Sequence, residues 1–153
     1  MPTPNTPPTP QQVFTLEAVN ALIPRLNAIC AEQHLRRSEI ETRLKDLAHR
    51  LGGAPPETLS VDDEDPSEVR EMKRELIERI EEYQHGWGPL DEMGAVLKDP
   101  RVGLIDFYGR VEGKLVFLCW KYGEQEVRHF HALGEGFSGR KEIKTSMKAR
   151  LLN

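Results

Sequence analysis

The triplet His129-Phe130-His131 is the part of the sequence most suggestive of chemistry. Successive side chains of a β-strand point to opposite faces, so a strand here places both imidazoles on one face. They would lie about 7 Å apart, twice the rise per residue, which is close enough to share one divalent ion. Glu124 and Glu126 lie just upstream and add carboxylate oxygens to a candidate ligand set for zinc, iron or manganese.

Metal binding is one of three explanations for these histidines. A histidine on a sheet also serves as a structural hydrogen-bonding group. An imidazole without a metal can act as a general acid or base. The pattern alone leaves all three explanations open.

A predicted hairpin brings an acidic residue to the same region. Glu112-Gly113 is a two-residue turn signal between two strand-like runs, Leu104–Val111 and Lys114–Tyr122. This turn sets a register in which Asp106 faces Cys119. Asp106 then lies among aromatic neighbours, a setting that perturbs the pKa of a carboxyl group.

Cys119, beside Trp120, has two interpretations. It could act as a thiolate nucleophile, but a cysteine buried in a strand is usually inert packing. We therefore favour packing and keep the nucleophile as an alternative.

The segment Gly134–Arg140 is rich in glycine. It lacks the fixed spacing and the Lys-Ser/Thr pair of a phosphate-binding loop. We expect its glycines to let the backbone fold tightly over the site. Arg140 would then return to pair a carboxylate or an anionic ligand.

Two amphipathic helices precede the predicted sheet. Apolar residues recur at spacings of three and four from Leu16 to Leu51, around Pro24 and with a polar gap at residues 33–37. The gap either faces solvent or carries a polar side chain into a site. A second stripe follows Asp65-Pro66, which resembles an N-cap and a first helical proline, and it ends near Gly86.

The predicted fold class is α+β: a long antiparallel helical hairpin, then a small three- to four-stranded antiparallel β-meander. Its outer strands are Ala95–Lys98 and Gln125–His131. We predict a disordered Pro- and Thr-rich tail at residues 1–12, a single domain at 13–140 and a basic tail at 141–153.

Composition limits the partners and the compartment. The net charge of −4 argues against a polyanion-binding protein, so a nucleic-acid partner is not expected. No apolar run of about 18 residues is present, so we expect no membrane span. Cys30 and Cys119 form no CxxC motif and fit reduced thiols, which predicts a cytoplasmic protein. The long apolar stripes predict a homo-oligomer, most simply a dimer, formed through the helices.

Several short stretches together resemble a known family. They are Val13–Pro24, Leu97-Lys98-Asp99, Gly103–Phe107, Cys119-Trp120, Gly123-Glu124, His131 and Gly136–Arg140. From Val13 through about Arg140 the chain resembles a family of small bacterial and archaeal proteins catalogued as domain of unknown function 2203. That pattern often has Pro in place of Tyr108, which could alter the strand end, and Trp in place of Phe130. The resemblance implies no reaction, but it gives weight to Asp106, Glu124, His131 and Arg140, and less to His129.

The sequence supports two functional hypotheses and leaves open whether the chain is an enzyme. In the first, the C-terminal sheet carries a divalent-metal or small-anion site. Its ligands are His131, Glu124 and Asp106, with Glu126 or His129 as an alternate ligand and Arg140 holding an anionic substrate. In the second, the chain is a non-enzymatic interaction or scaffold module that pairs with a second copy or another protein through its helices.

Overall fold

The computed structural model describes residues 12–54, 56 and 58–144. The outer parts of both predicted tails, residues 1–11 and 145–153, lie outside the described residues. The predicted α+β class is confirmed, because two long helices are followed by an antiparallel sheet. None of the described helices has the length and hydropathy that crossing a membrane requires.

The chain divides into two compact units, of which residues 28–89 form the helical one. This unit contains most of α1, which spans Leu16–Arg50, and all of α2, which spans Ser67–His85. Apolar side chains from both helices form its core. They are Ile40, Leu47, Val69 and Leu76.

The start of α2 differs from the sequence prediction. Its N-cap residue is Pro66 and no side chain caps it. Asp65 does not cap the helix, because its carboxylate accepts hydrogen bonds from Asp62 N at 3.1 Å and from Lys73 Nζ at 2.6 Å. Asp65 therefore ties the preceding loop to the side of α2.

Gln33 accounts for part of the polar gap in the first apolar stripe. Its side chain is buried, and its Nε2 donates to the carbonyl oxygen of Tyr83 at 2.7 Å. Its Oε1 accepts a hydrogen bond from Arg36 Nη1 at 2.8 Å. This polar side chain is satisfied inside the helical unit, so it links α1 to the end of α2.

The other unit, residues 1–27 with 90–153, contains an antiparallel sheet preceded in the chain by a short helix, α3 (Gly88–Glu92). The strands are β1 (Val96–Asp99), β2 (Leu104–Val111), β3 (Lys114–Lys121), β4 (His129–His131) and β5 (Lys141–Glu142). Each pairs with the next in chain order. The predicted count of three or four strands is wrong, because two residues assigned to the basic tail, 141 and 142, form a fifth strand.

The hairpin between β2 and β3 has the predicted register. Glu112 and Gly113 both have positive φ, 54° and 79°, as the tight turn that matches strand twist requires. Asp106 pairs with Cys119, and Phe107 pairs with Leu118. A local turn therefore determines which residues of the two strands share a face.

One face of the sheet is the apolar core of this unit. Phe107 and Trp120 are fully buried there, and the ring of Phe14 contacts Phe107 edge-on with centroids 5.1 Å apart. The start of α1 is also attached, because Asn20 Oδ1 accepts a hydrogen bond from Val127 N at 2.8 Å. That bond takes Val127 out of the sheet ladder, so β4 is shorter than the predicted strand.

Candidate metal centre

A row of polar side chains crosses the sheet on the face opposite Trp120. Strand pairing places Asp106 beside Cys119, Cys119 beside His129, and His129 beside Glu142. Paired residues of antiparallel strands project to the same face with Cβ atoms about 4.5–5.5 Å apart. His131 lies two residues along β4 from His129, so it joins the same face.

Three members of this face form a buried cluster, which we call the Asp–Cys–His cluster: Asp106, Cys119 and His131. Asp106 and Cys119 are 0% exposed and His131 is 1% exposed. One donor atom from each residue lies within 4.8 Å of the other two. A cluster of this kind could hold a metal ion, and each of its residues comes from a different strand.

The hydrogen bonds of His131 define where protons lie in the cluster. Its Nδ1 lies 2.9 Å from the carbonyl oxygen of Ala132, which can only accept, so Nδ1 carries a proton. Its Nε2 lies 2.8 Å from Asp106 Oδ2. With Nδ1 protonated, a second proton must lie between Nε2 and Oδ2 to make that contact favourable. The pair holds this proton either as imidazolium and carboxylate or as imidazole and carboxylic acid.

Burial dominates the electrostatics of the two other groups. It raises the pKa of the Asp106 carboxyl, and hydrogen bonding and charge from Cys119, His131 and Lys98 only partly oppose this effect. Burial also raises the pKa of the Cys119 thiol to about 12, with a further increase from Asp106 and an opposing decrease from Arg140. Cys119 is therefore a protonated thiol near neutral pH, which argues against a free nucleophile.

The cluster fits a divalent metal ion. Bonds of about 2.0–2.3 Å place the ligands of a common ion about 3–4 Å apart, so donors within 4.8 Å need only small adjustments. Asp106 Oδ1 is buried without a hydrogen-bond partner among the described residues, which leaves a carboxylate lone pair for a ligand. A metal-binding histidine typically donates its other ring N–H to a carbonyl, as His131 Nδ1 does to Ala132.

Glu124 and Arg140 form a second, partly buried group beside this cluster. Glu124 Oε1 accepts hydrogen bonds from Arg140 Nη2 at 2.6 Å and from Lys121 N at 2.7 Å. Arg140 Nη2 also lies 3.3 Å from the carbonyl oxygen of Cys119. The guanidinium therefore bridges the strand that carries Cys119 and the turn that follows it.

His129 belongs to this second group. Its Nδ1 lies 3.8 Å from Glu124 Oε2, a distance too long for a hydrogen bond. The nitrogen is buried and has no hydrogen-bond partner among the described residues. His129 thus lies next to the Asp–Cys–His cluster in the strand register without joining its close set of donor atoms.

The remaining candidate residues, Trp120 and Glu126, make contacts in and near the turn after β3. Trp120 Nε1 donates to the carbonyl oxygen of Glu124 at 2.9 Å, which holds this turn against the core face. Glu126 pairs with Arg128 at 3.0 Å on the surface. Trp120 is accordingly a packing residue, and Glu126 is bound to a cation away from the Asp–Cys–His cluster.

The structure thus brings together two predicted ligands, Asp106 and His131, and adds Cys119, for which the sequence predicts packing or a role as a nucleophile. Glu124, Glu126 and His129 lie outside this set. A signal for Cys119 was present, because the hairpin register already placed it opposite Asp106. Thiolate is a strong zinc ligand, so that pairing could have identified it.

The comparisons with known proteins identify a family and no activity. A family model described as Uncharacterized conserved protein (DUF2203) matches residues 12–143. No curated protein and no solved structure matches the chain.

Proposed function

The chain belongs to the family described as Uncharacterized conserved protein (DUF2203), and from its geometry we propose that it is a metal-binding protein. The centre would be formed by Asp106, Cys119 and His131. The observation that carries this proposal is that their donor atoms lie within 4.8 Å of one another while all three residues are buried. Exposed acidic clusters are common without a metal, but a buried cluster of three different ligand types needs a reason.

Energetics supply that reason. A buried carboxyl group with an unpaired oxygen costs free energy, and so does a polar cluster placed in the interior of a sheet. Apolar residues at Asp106 and His131 would avoid that cost. A bound divalent ion offsets it, because it satisfies the carboxylate, the imidazole and the thiolate together.

The donor set favours zinc. Sulfur, nitrogen and oxygen together suit a borderline ion, whereas manganese prefers oxygen donors. Iron(II) stays the second choice because it also accepts this mixture. Three protein ligands leave one tetrahedral position for an exogenous group, as in catalytic rather than structural zinc sites. Arg140 contacts Cys119, and its buried Nε, which has no hydrogen-bond partner among the described residues, supports a role in holding an anion there.

The test is metal binding by the full chain purified without an affinity tag. Metal analysis after zinc loading should give one ion per chain, and cobalt(II) should produce the absorption of a thiolate–metal bond. Asp106→Asn and Cys119→Ser should each lose most of the affinity. Cys30→Ala is the matched control, since Cys30 is also a buried thiol but lies in α1. Failure of the wild-type chain to bind zinc, iron or manganese would leave the cluster as a structural hydrogen-bonded group.

A second candidate function is the scaffold module, with an antiparallel helical hairpin that self-associates in the cytoplasm. Ion pairs between α1 and α2 run in opposite chain order and support the hairpin: Arg36 with Glu82, Arg43 with Glu75, and Arg50 with Glu68. Leu35 is 70% exposed on α1, and a contact with a second copy would cover it. Light scattering should give a dimer that Leu35→Lys converts to a monomer. A wild-type monomer at high concentration would remove this candidate.

A further inference from the structure

The Asp–Cys–His cluster has no route to solvent through its own residues. Asp106 and Cys119 are 0% exposed and His131 is 1% exposed. Any ion or reagent that reaches these side chains must therefore pass a group that moves. Residues outside the sheet that contact the cluster include Ala132, through its backbone carbonyl oxygen, and Arg140, whose Nη2 lies 3.3 Å from the carbonyl oxygen of Cys119. Of these two, only Arg140 contributes a side chain, and its charge and hydrogen bonding lower the pKa of the Cys119 thiol.

Arg140 lies at the end of a segment that makes few buried contacts. Every residue from 132 to 138 is exposed, and the segment contains Gly134, Gly136 and Gly139. Segments with few buried contacts open at low free-energy cost. On either side the chain is held by β4 and by β5, and just after β5 Ile143 N donates to the carbonyl oxygen of Arg128 at 2.7 Å. The part free to move is thus the segment that ends at Arg140.

Glu124 is a fixed anchor for this arginine. Its carboxylate is held by Lys121 N and its carbonyl by Trp120 Nε1. The pair with Arg140 is only 2.6 Å long and mostly shielded, since the side chain of Arg140 is 11% exposed. A charge-assisted hydrogen bond in such a setting is worth more than an exposed ion pair. Phe137 supports the closed position, because its ring lies 4.9 Å from the guanidinium carbon.

From these contacts we propose that the Arg140–Glu124 ion pair is a latch that controls access to the Asp–Cys–His cluster. Breaking the pair frees the guanidinium from Cys119 and exposes the thiol. This inference rests on the proposed function only in naming a metal ion as the species that enters the Asp–Cys–His cluster. Access itself is a property of the metal-free chain and can be measured without a metal.

The experiment measures how fast each cysteine of the folded, metal-free chain reacts with N-ethylmaleimide, using mass spectrometry of the peptides. Glu124→Gln should accelerate labelling of Cys119 about tenfold or more, which corresponds to about 1.4 kcal/mol of latch stability. Arg140→Gln should do the same, while Arg140→Lys, which keeps the charge, should fall between. Arg128→Gln is the matched control, since it breaks the exposed Arg128–Glu126 pair of the same connection and should leave the rate unchanged.

Cys30 provides an internal control in every sample. It is 1% exposed and lies in α1, so its labelling reports on unfolding rather than on the latch. Acceleration of Cys119 alone supports the latch. Equal acceleration of both cysteines, or no acceleration in Glu124→Gln, overturns it.

Metal exchange then separates the latch from the proposed function. If the wild-type chain binds zinc, Glu124→Gln should speed both loading and release about tenfold while the Kd changes much less. Unchanged loading and release rates would overturn the latch and leave the metal centre standing. Absence of zinc binding would overturn the metal centre, and the labelling ratio would still decide the latch.

Discussion

Zinc binding should release protons, and the hydrogen bonds of the cluster predict how many. The proton between Asp106 Oδ2 and His131 Nε2 must leave when the imidazole nitrogen and the carboxylate bind the ion. The thiol proton of Cys119 must leave as well, because burial holds its pKa at about 12. The proton on His131 Nδ1 stays, since Ala132 accepts it in both states. At pH 7 we therefore expect about two protons to be released per zinc ion.

The sign and size of the pH dependence follow from this count. Protons compete with the ion, so the apparent affinity falls as the pH falls. Two protons per ion predict a change of about 100-fold in affinity per pH unit, over the range in which the metal-free cluster holds both. Cys119→Ser keeps only the shared proton, so its count should drop to about one and its pH dependence to about 10-fold per unit.

Isothermal titration calorimetry measures this count directly. The observed enthalpy is plotted against the ionisation enthalpy of several buffers at the same pH, and the slope is the number of protons released. Cys30→Ala is the control, because it removes a thiol whose pKa burial raises to about 11 but which lies outside the cluster. It should keep a count of two. A wild-type count near zero, or one that Cys119→Ser leaves unchanged, would refute the reasoning.

Three further outcomes are expected. Zinc at 100 times its Kd should stabilise the chain by about 2.7 kcal/mol, which raises Tm by about 5–11 °C in calorimetry. Asp106→Asn should abolish this increase in Tm. An unchanged wild-type Tm would contradict the metal centre. Gly86→Ala should cost about 1–3 kcal/mol in urea unfolding, since the new methyl group overlaps Gln33 and Arg36; an unchanged midpoint would mean that Gln33 moves aside. The hydrogen bond from Lys73 lowers the pKa of Asp65 below its ordinary 3.8. The ionised Asp65 carboxylate therefore stabilises the folded chain above about pH 4, and this stabilisation is lost as the pH falls through the pKa that Asp65 has in the folded chain. Lys73→Met should flatten that part of an acid-unfolding curve.

The register of the central hairpin could be predicted because it depends on a few neighbouring residues. Glu112 and Gly113 adopt the positive φ values of a tight turn, and the period of two along each strand then places Asp106 opposite Cys119. Two of the three members of the Asp–Cys–His cluster could thus be placed opposite each other from the sequence. The family resemblance pointed to His131 but carried no geometry.

The fifth strand could not be predicted, because two residues carry no usable pattern. Lys141 and Glu142 pair with β4 only after the segment that ends at Arg140 has returned the chain to the sheet. The short length of β4 could not be predicted either, because Val127 N donates a hydrogen bond to Asn20, a residue distant in sequence. In the helical unit, the polar residue Gln33 interrupts the apolar stripe because its side chain donates a hydrogen bond to the carbonyl oxygen of Tyr83, which is also distant in sequence.

The sequence by itself determined the α+β class, the amphipathic helices and the pairing of Asp106 with Cys119, because each depends on local periodicity or on one turn. Only the tertiary structure decided that His131 joins them and that Glu124 turns instead to Arg140. Residues 122–128 connect β3 to β4, and the tight turn closed by Glu124 N and Lys121 O covers only the first part of this connection. The register of β4 is therefore set by long-range contacts. The composition of a site built from three strands depends on such contacts, and no short stretch of sequence contains them.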